Sequence, residues 1–242
     1  MDNPPHETLD CNSTNVSLQL SLATESDLHR FTVCQFDAFY NGPDHDFLEI
    51  IFPGPPTDEN IVKVYKRQLA LREQHGLSTV LKVEDTKTGA IVAGAQWSIS
   101  SGVDDNARHL KHQLANVDWC GEEGSDRQKY AQWVMDEFLG RRIERMQGPH
   151  ASLDLCFCHP SYQRRGAGTQ LVRWGCRRAD ELGIPAFVEA TATGTRLYEQ
   201  NGFIVTEAVR LHDSKRWGKD RTPVVYNFMW RPPKPQIARP DI

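Results

Sequence analysis

Residues 153–183 read "LDLCFCHPSYQRRGAGTQLVRWGCRRADELG". An apolar, strand-like run stops at Pro160, which has no N–H to give a neighbouring strand. A basic, glycine-rich turn follows, then a helical pattern that ends at Gly183. Glycine lets the backbone approach a ligand closely and reach φ values that other residues avoid. The first N–H groups of a helix have no partner inside it, and the helix dipole adds partial positive charge at that end. Arg164 and Arg165 add full charges and further donors. The turn therefore suits an anion, above all a phosphate. The alternative is an ordinary helix start with solvated arginines.

The two commonest nucleotide loops do not fit it. A Walker loop ends in Gly-Lys-Ser/Thr, which "RRGAGTQ" lacks. A dinucleotide fingerprint carries a further glycine where Leu171 stands here. Glu189 does lie near the place of that fingerprint's acidic residue, but the order of strands is wrong for it.

The chain has 242 residues, 39% of them hydrophobic and 25% charged, with a net charge of −4. That length suits one large domain able to bury a core without staples. The mild acidity argues against nucleic acid as a partner, because a phosphate backbone wants a basic face. No apolar run reaches membrane-spanning length, which predicts no membrane partner. The polar start "MDNPPHETLDCNSTNVS" lacks a signal-peptide core, so the expected location is cytoplasmic and the sequons at Asn12 and Asn15 read as chance matches. The cysteines Cys11, Cys34, Cys120, Cys156, Cys158 and Cys176 form no Cys-x-x-Cys pair and no zinc-finger spacing. They read as reduced, buried thiols, and no metal site is expected.

Outward from the turn, the pattern predicts an α+β domain over 16–231. Residues 1–15 read as a disordered segment, 101–126 as an insertion and 232–242 as a Pro-rich tail. "VSLQLSLAT" alternates like a half-buried strand, and Thr24 caps a helix running to about Tyr40. A second helix starts at the Thr57 cap. "LSTVLKVED" and "AIVAGAQWSI" form a hairpin, and 127–147 a further helix. The strand "ASLDLCFC", the helix after the glycine turn, the strand "IPAFVEA" and a short helix in "TGTRLYEQNGF" ending at Gly202 follow. "FIVTEAVRL" and "PVVYNFMW" close the sheet as an antiparallel pair.

The ordered set "CFCHPSYQRRGAG", helix, strand and "LYEQNGF" resembles the GCN5-related N-acetyltransferase (GNAT) superfamily. The likeness is specific over about 150–205, and the element order fits it from 16 to 230. The stretches "HPSYQRRGAG", "ADELGIPAFVEAT" and "LYEQNGF" look like those of fungal acetyltransferases without an assigned substrate. The resemblance implies a twisted, mixed, mostly antiparallel sheet of about 6–7 strands flanked by helices, with the strand at 151–158 splayed from the strand at 184–190. It also implies acetyl-CoA as cosubstrate. Gln163, Arg164, Arg165, Gly166, Ala167, Gly168 and Thr169 match the turn that takes its pyrophosphate. Cys156, Phe157 and Cys158 match the strand along which pantetheine lies. A backbone N–H there can polarise the acetyl carbonyl.

Tyr198 matches the tyrosine that protonates the leaving thiolate in many members, a buried aromatic with a satisfied hydroxyl being its other reading. Thr191 stands where the family commonly has a cofactor-contacting asparagine. Ser152 stands where histone-type members carry a basic glutamate; Asp154, on the same strand face, is the base candidate, with a structural hydrogen-bonding role as its alternative. His159 faces solvent or caps the turn on this reading, and a base acting through water is also open.

The expected activity is acetyl transfer to the amine of a small molecule by direct attack, in a monomer or homodimer. O-acetylation of a hydroxylated metabolite and a catalytically weak acetyl-CoA sensor are the alternatives. The acceptor site is expected from the first two helices, the insertion and the last hairpin loop. These segments and the strand before the insertion hold Phe39, Tyr40, Asp44, His45, Asp46, Phe47, Trp97, Trp119 and Trp217. Such residues suit a cationic amine and equally suit ordinary core and surface positions, the latter being the better reading for most of them.

Overall fold

The structure, a computed structural model, describes residues 17–41, 50, 52–75, 78–100, 102 and 117–234. The expected N-terminal segment, most of the Pro-rich tail, Asp44 to Phe47 and much of the insertion lie outside the described residues.

The strands are β1 (Leu18–Leu22), β2 (Ser78–Asp85), β3 (Ile91–Ser100), β4 (His150–Cys158), β5 (Ala186–Ala190), β6 (Ile204–Leu211) and β7 (Val224–Arg231). They form one sheet in the order β1-β2-β3-β4-β5-β7-β6. Every neighbouring pair is antiparallel except β4 and β5. Parallel neighbours need a crossover, and the helix after the glycine turn supplies it.

The helices are α1 (Leu28–Tyr40), α2 (Asp58–His75), α3 (Asp126–Arg145), α4 (Ala167–Leu182), α5 (Ala192–Glu199) and the single turn α6 (Ser214–Trp217). Thr24 caps a short 3-10 turn, Glu25–Asp27, and α1 continues from it. There Asp27 binds the Thr24 N–H at 2.9 Å and the Lys82 ammonium at 2.9 Å. The predicted helix around "LYEQNGF" stops earlier than Gly202: α5 ends at Glu199, and a turn carries the chain to Phe203. The short α6 in the last hairpin was not expected from the sequence.

Helices cover both sheet faces. On one face α4 and α5 bury Leu171, Val172 and Tyr198 against Ala151, Leu153, Val188 and Trp97. On the other, α1 sets Phe31 edge-on to Phe157 with centroids 4.9 Å apart. Beside it, α3 buries Tyr130 and Val134 in a cluster with Phe187, Tyr226 and Phe228. α1 passes so close to β3 that a Cβ on Gly94 would lie 2.2 Å from the Phe31 ring.

β4 changes phase midway. Its register with β3 steps from Trp97↔Leu153 to Gln96↔Leu155, so Asp154 is an extra residue, a β-bulge. Before the bulge, Ala151 and Leu153 face α4; after it, Cys156 and Cys158 do. Leu155 turns instead to the Phe31 cluster under α1.

Candidate active site

β4 and β5 part company at the bulge. Their parallel ladder holds only Ala151↔Ala186, Ser152↔Phe187 and Leu153↔Val188. Beyond it β4 continues through Cys158, still paired with β3 on its other side. The polar backbone of residues 155–158 therefore faces β5 across a fork instead of through hydrogen bonds. Buried backbone polar groups seek partners, so this edge suits an extended ligand that pairs like a strand.

The fork opens towards the glycine turn. His159 caps the 3-10 turn Pro160–Tyr162, its Nδ1 accepting the Ser161 N–H at 3.2 Å. Gln163 then ties the turn to the strand by donating to the Cys158 carbonyl at 3.4 Å. Gln163, Arg164, Arg165 and Gly166 are all exposed. Arg164 (φ 63°) and Gly166 (φ 92°) both sit in the left-handed region. That conformation costs glycine little and arginine more.

Gln163 N–H bonds to Pro160, and the first N–H to bond back into α4 is that of Gln170, to Gly166. The N–H groups between them, from Arg164 to Thr169, have no intrachain acceptor among the described residues. Ala167 is buried beneath this ring of donors, and Gly168 and Thr169 are half-buried. A Cβ on Gly168 would meet Leu197 at 3.0 Å, so glycine lets α4 start hard against α5. The Arg165 guanidinium lies over the Tyr162 ring, 5.2 Å from its centroid. Tyr162 in turn donates to Asp85 at 3.3 Å. A rigid, exposed ring of N–H donors with two guanidinium groups fits a pyrophosphate.

Cys156 and Cys158 line the α4 side of the fork, and burial pushes their thiols up to about 12 and about 11. Phe157 points away, into the α1 cluster, so only its backbone reaches the fork. Tyr198 enters from α5, buried in the α4-side core, and its hydroxyl hydrogen-bonds the Cys156 sulfur. Thr191 is the N-cap of α5, its hydroxyl accepting the Gly194 N–H at 3.3 Å.

Asp154 lies on the opposite face. Its Oδ1 accepts from Arg142 at 2.8 Å and Ser152 at 2.9 Å, and its Oδ2 accepts from the Ser98 hydroxyl. The Ser98 and Ser78 hydroxyls are 3.1 Å apart, and Gln96 donates to Ser78 at 3.2 Å. Arg142, near the end of α3, also grips Glu189 of β5 through Nε and Nη2, each at 2.7 Å. Burial opposes the Arg142 charge, but Glu189 and Asp154 outweigh it and hold the group protonated. Arg142 and Glu189 were absent from the predicted site. The guanidinium and its two carboxylates come from positions 142, 154 and 189, and no local motif joins them.

Of the candidate acceptor residues, Trp97 takes the core position and not the ligand one. It is fully buried on the α4 face, donating its indole N–H to the Leu171 carbonyl at 3.2 Å, because its strand position points it into the core. Phe39 and Tyr40 pack on Phe52. Trp119 donates to the Ile50 carbonyl at 3.0 Å under the Arg67 guanidinium. Trp217 packs on Tyr130 and Trp133. An open cavity of about 640 Å³ lies between the end of the insertion, the first half of α3 and the last hairpin loop. Its charged lining is Asp118, Glu123 and Asp136 against Lys129 and Arg216.

Among the described residues no cluster of three His, Cys, Asp or Glu side chains could hold a metal ion, and no helix is long and apolar enough to cross a membrane.

The fold recurs among solved structures. One, of a histone acetyltransferase HPA2 and related acetyltransferase from Corynebacterium glutamicum, is 20% identical with a TM-score of 0.59, covering 91% of this chain and 99% of that one. A mosquito arylalkylamine N-acetyltransferase-like protein is 13% identical with a TM-score of 0.60, at 89% and 99% coverage. A putative acetyltransferase from Salmonella typhimurium, solved with its cofactor acetyl-CoA, is 16% identical with a TM-score of 0.52, at 93% and 98% coverage. No curated protein sequence matches the chain. The model of the acetyltransferase (GNAT) family matches residues 45–203, which take in the fork, the glycine turn and Tyr198, and the chain belongs to that family.

Proposed function

We propose that the protein transfers the acetyl group of acetyl-CoA to the amine of a small, cationic acceptor by direct attack. One observation carries this reading: the β4–β5 fork is flanked by Tyr198 from the α5 face and by Asp154 from the α3 face. A thioester threaded into the fork, with its pyrophosphate on the N–H groups of residues 164–169, would lie between an acid and a base. The ammonium of the acceptor first gives one proton to Asp154. The freed nitrogen attacks the acetyl carbon, and its second proton passes to solvent, from which Tyr198 recovers its own. The carbon–sulfur bond breaks, and the sulfur takes a proton from the Tyr198 hydroxyl.

Asp154 suits the base role better than Glu189. Both carboxylates are held at both oxygens, and Asp154, its side chain 16% exposed against 5% for Glu189, is the more accessible of the two. Arg142 and the Ser152 and Ser98 hydroxyls fix the direction in which the Asp154 carboxylate points. Two carboxylates share one guanidinium, so the cluster carries excess negative charge that favours a cation. The cavity beside α3 has three acidic side chains against two basic ones, a slight acidic excess that is compatible with the same acceptor class. Its nearest α3 residue, Asp136, is six residues before Arg142, about 1.7 turns and about 9 Å along the axis.

Thiol release from acetyl-CoA against a panel of amines, polyamines, amino acids and hydroxylated metabolites tests the reading. Turnover with cationic amines is expected. Turnover with hydroxylated acceptors alone would make the protein an O-acetyltransferase, and binding of acetyl-CoA without turnover on any acceptor would make it a sensor.

A further inference from the structure

Backbone pairing between β4 and β5 ends at Leu153↔Val188. The next residue on each strand is Asp154 or Glu189, and these are the two side chains that Arg142 holds. Where the ladder stops, a side-chain bridge begins. We propose that Arg142 is a positioning residue that sets the opening of the β4–β5 fork, and through it the fit of the CoA thioester arm. This inference rests on the reading of the fork as the acetyl-CoA slot.

Three features point to this role. First, the guanidinium is planar and rigid, with donors at fixed angles. Glu189 takes its Nε and Nη2 and Asp154 its Nη1, so the two carboxylates are held at a fixed separation. Second, neighbouring strands lie about 4.8 Å apart, so a chain threaded between them needs about twice that spacing. A fork that must hold such a width needs a spacer at its vertex, and Arg142 stands there. Third, the spacer is braced. Ser152 and Ser98 hold Asp154 from other directions. On the next turn of α3, Arg145 pairs with Glu207 of β6 at 3.0 Å. A buried ion cluster gains little stability over apolar residues of the same volume. Geometry is the better account of why this one stands at a fork.

The experiment compares acetyl-CoA binding by calorimetry and unfolding by urea in four proteins. These are the wild type, Arg142→Lys, the charge-free triple variant R142M/D154N/E189Q, and Arg231→Lys as control. Lysine keeps the charge balance but cannot span both carboxylates, and the triple variant leaves no unpaired buried charge, so each is built to stay folded. Arg231 holds Asp180 through two bonds of 2.7 and 2.9 Å, a similar buried pair near the far end of α4. Both Arg142 variants should weaken acetyl-CoA binding by about tenfold or more, as small misplacements in a site do. The Arg231 variant should lose stability without losing affinity. Wild-type affinity in folded Arg142 variants, or an equal loss in the Arg231 control, overturns the inference and leaves the acetyl-CoA reading standing. No acetyl-CoA binding by the wild type overturns both.

Discussion

The two halves of β4 are one continuous strand in different surroundings. From Ala151 to Leu153 the strand pairs on both sides and its side chains are buried. From Leu155 to Cys158 it pairs with β3 alone, and most of its side chains are half-buried. The first half ends in fixed charges, Asp154 with Arg142 and Glu189. The second is lined by neutral thiols and the Tyr198 hydroxyl. The bulge at Asp154 makes the change: it ends the ladder with β5 and turns the cysteines towards α4 in one residue. A strand can therefore be structural at one end and a binding edge at the other, provided its register breaks between them.

If the second half is the reacting half, removing one oxygen from it should cost far more activity than structure. Tyr198→Phe keeps the ring that packs on Phe203 and removes the hydroxyl that faces Cys156. The kcat should fall by about 10²-fold or more, with acetyl-CoA affinity nearly unchanged. Steady-state rates and calorimetry on the same preparation check it, and an unaltered kcat removes Tyr198 as the acid.

The second half also depends on a close approach to α1. Gly94 pairs with Phe157, and a Cβ there would lie 2.2 Å from the Phe31 ring and 2.6 Å from that of Phe157. Gly94→Ala should destabilise the protein by about 1–3 kcal/mol, the usual cost of overpacking a core. The midpoint of urea unfolding measures this. An unmoved midpoint would mean that α1 yields, and that the packing behind the binding edge is soft.

The same contrast explains what the sequence could show. The second half and its turn were legible because their parts are local. "CFCHPSYQRRGAG" puts a strand, a stop, a turn and a helix start in one line, and each has its own residue chemistry. The sheet was legible as well, since its strands alternate and its turns carry glycine and proline. The first half was not. Asp154 could be placed on the right face from strand alternation, and its hydrogen bond with Ser152 bears that placement out. Its guanidinium partner lies in a helix whose pattern marks position 142 only as a basic residue in the last turn. Glu189 was noticed for the wrong reason, as the acid of a dinucleotide fingerprint. Trp97 could be read either way, because a tryptophan in a half-polar strand serves a core as well as a ligand site, and it takes the core position. Side-chain clusters gathered from distant elements leave no spacing to read.

The smallest effect expected is one of pH, and it separates the halves by sign. His150, at the start of β4, has its pKa lowered from 6.5 chiefly by burial. The unfolded chain takes up this proton before the folded one does, so stability should fall as pH drops through 6.5 and level off below the lower folded value. The thiols do the reverse. Burial raises Cys156 and Cys158 from 9.0 to about 12 and about 11, so above pH 9 the unfolded chain releases protons that the folded one keeps. Stability should therefore decline from pH 9 towards 11. The buried Cys34 thiol, raised by the same cause, adds to that decline. Urea unfolding across this range should trace a dome, and Cys156→Ala and Cys158→Ala should each flatten its alkaline limb while leaving the acid limb in place. An alkaline limb that both variants keep unchanged would mean that the thiols beside the fork ionise as freely in the folded protein as in the unfolded chain. The second half of β4 would then be open to water rather than a dry slot.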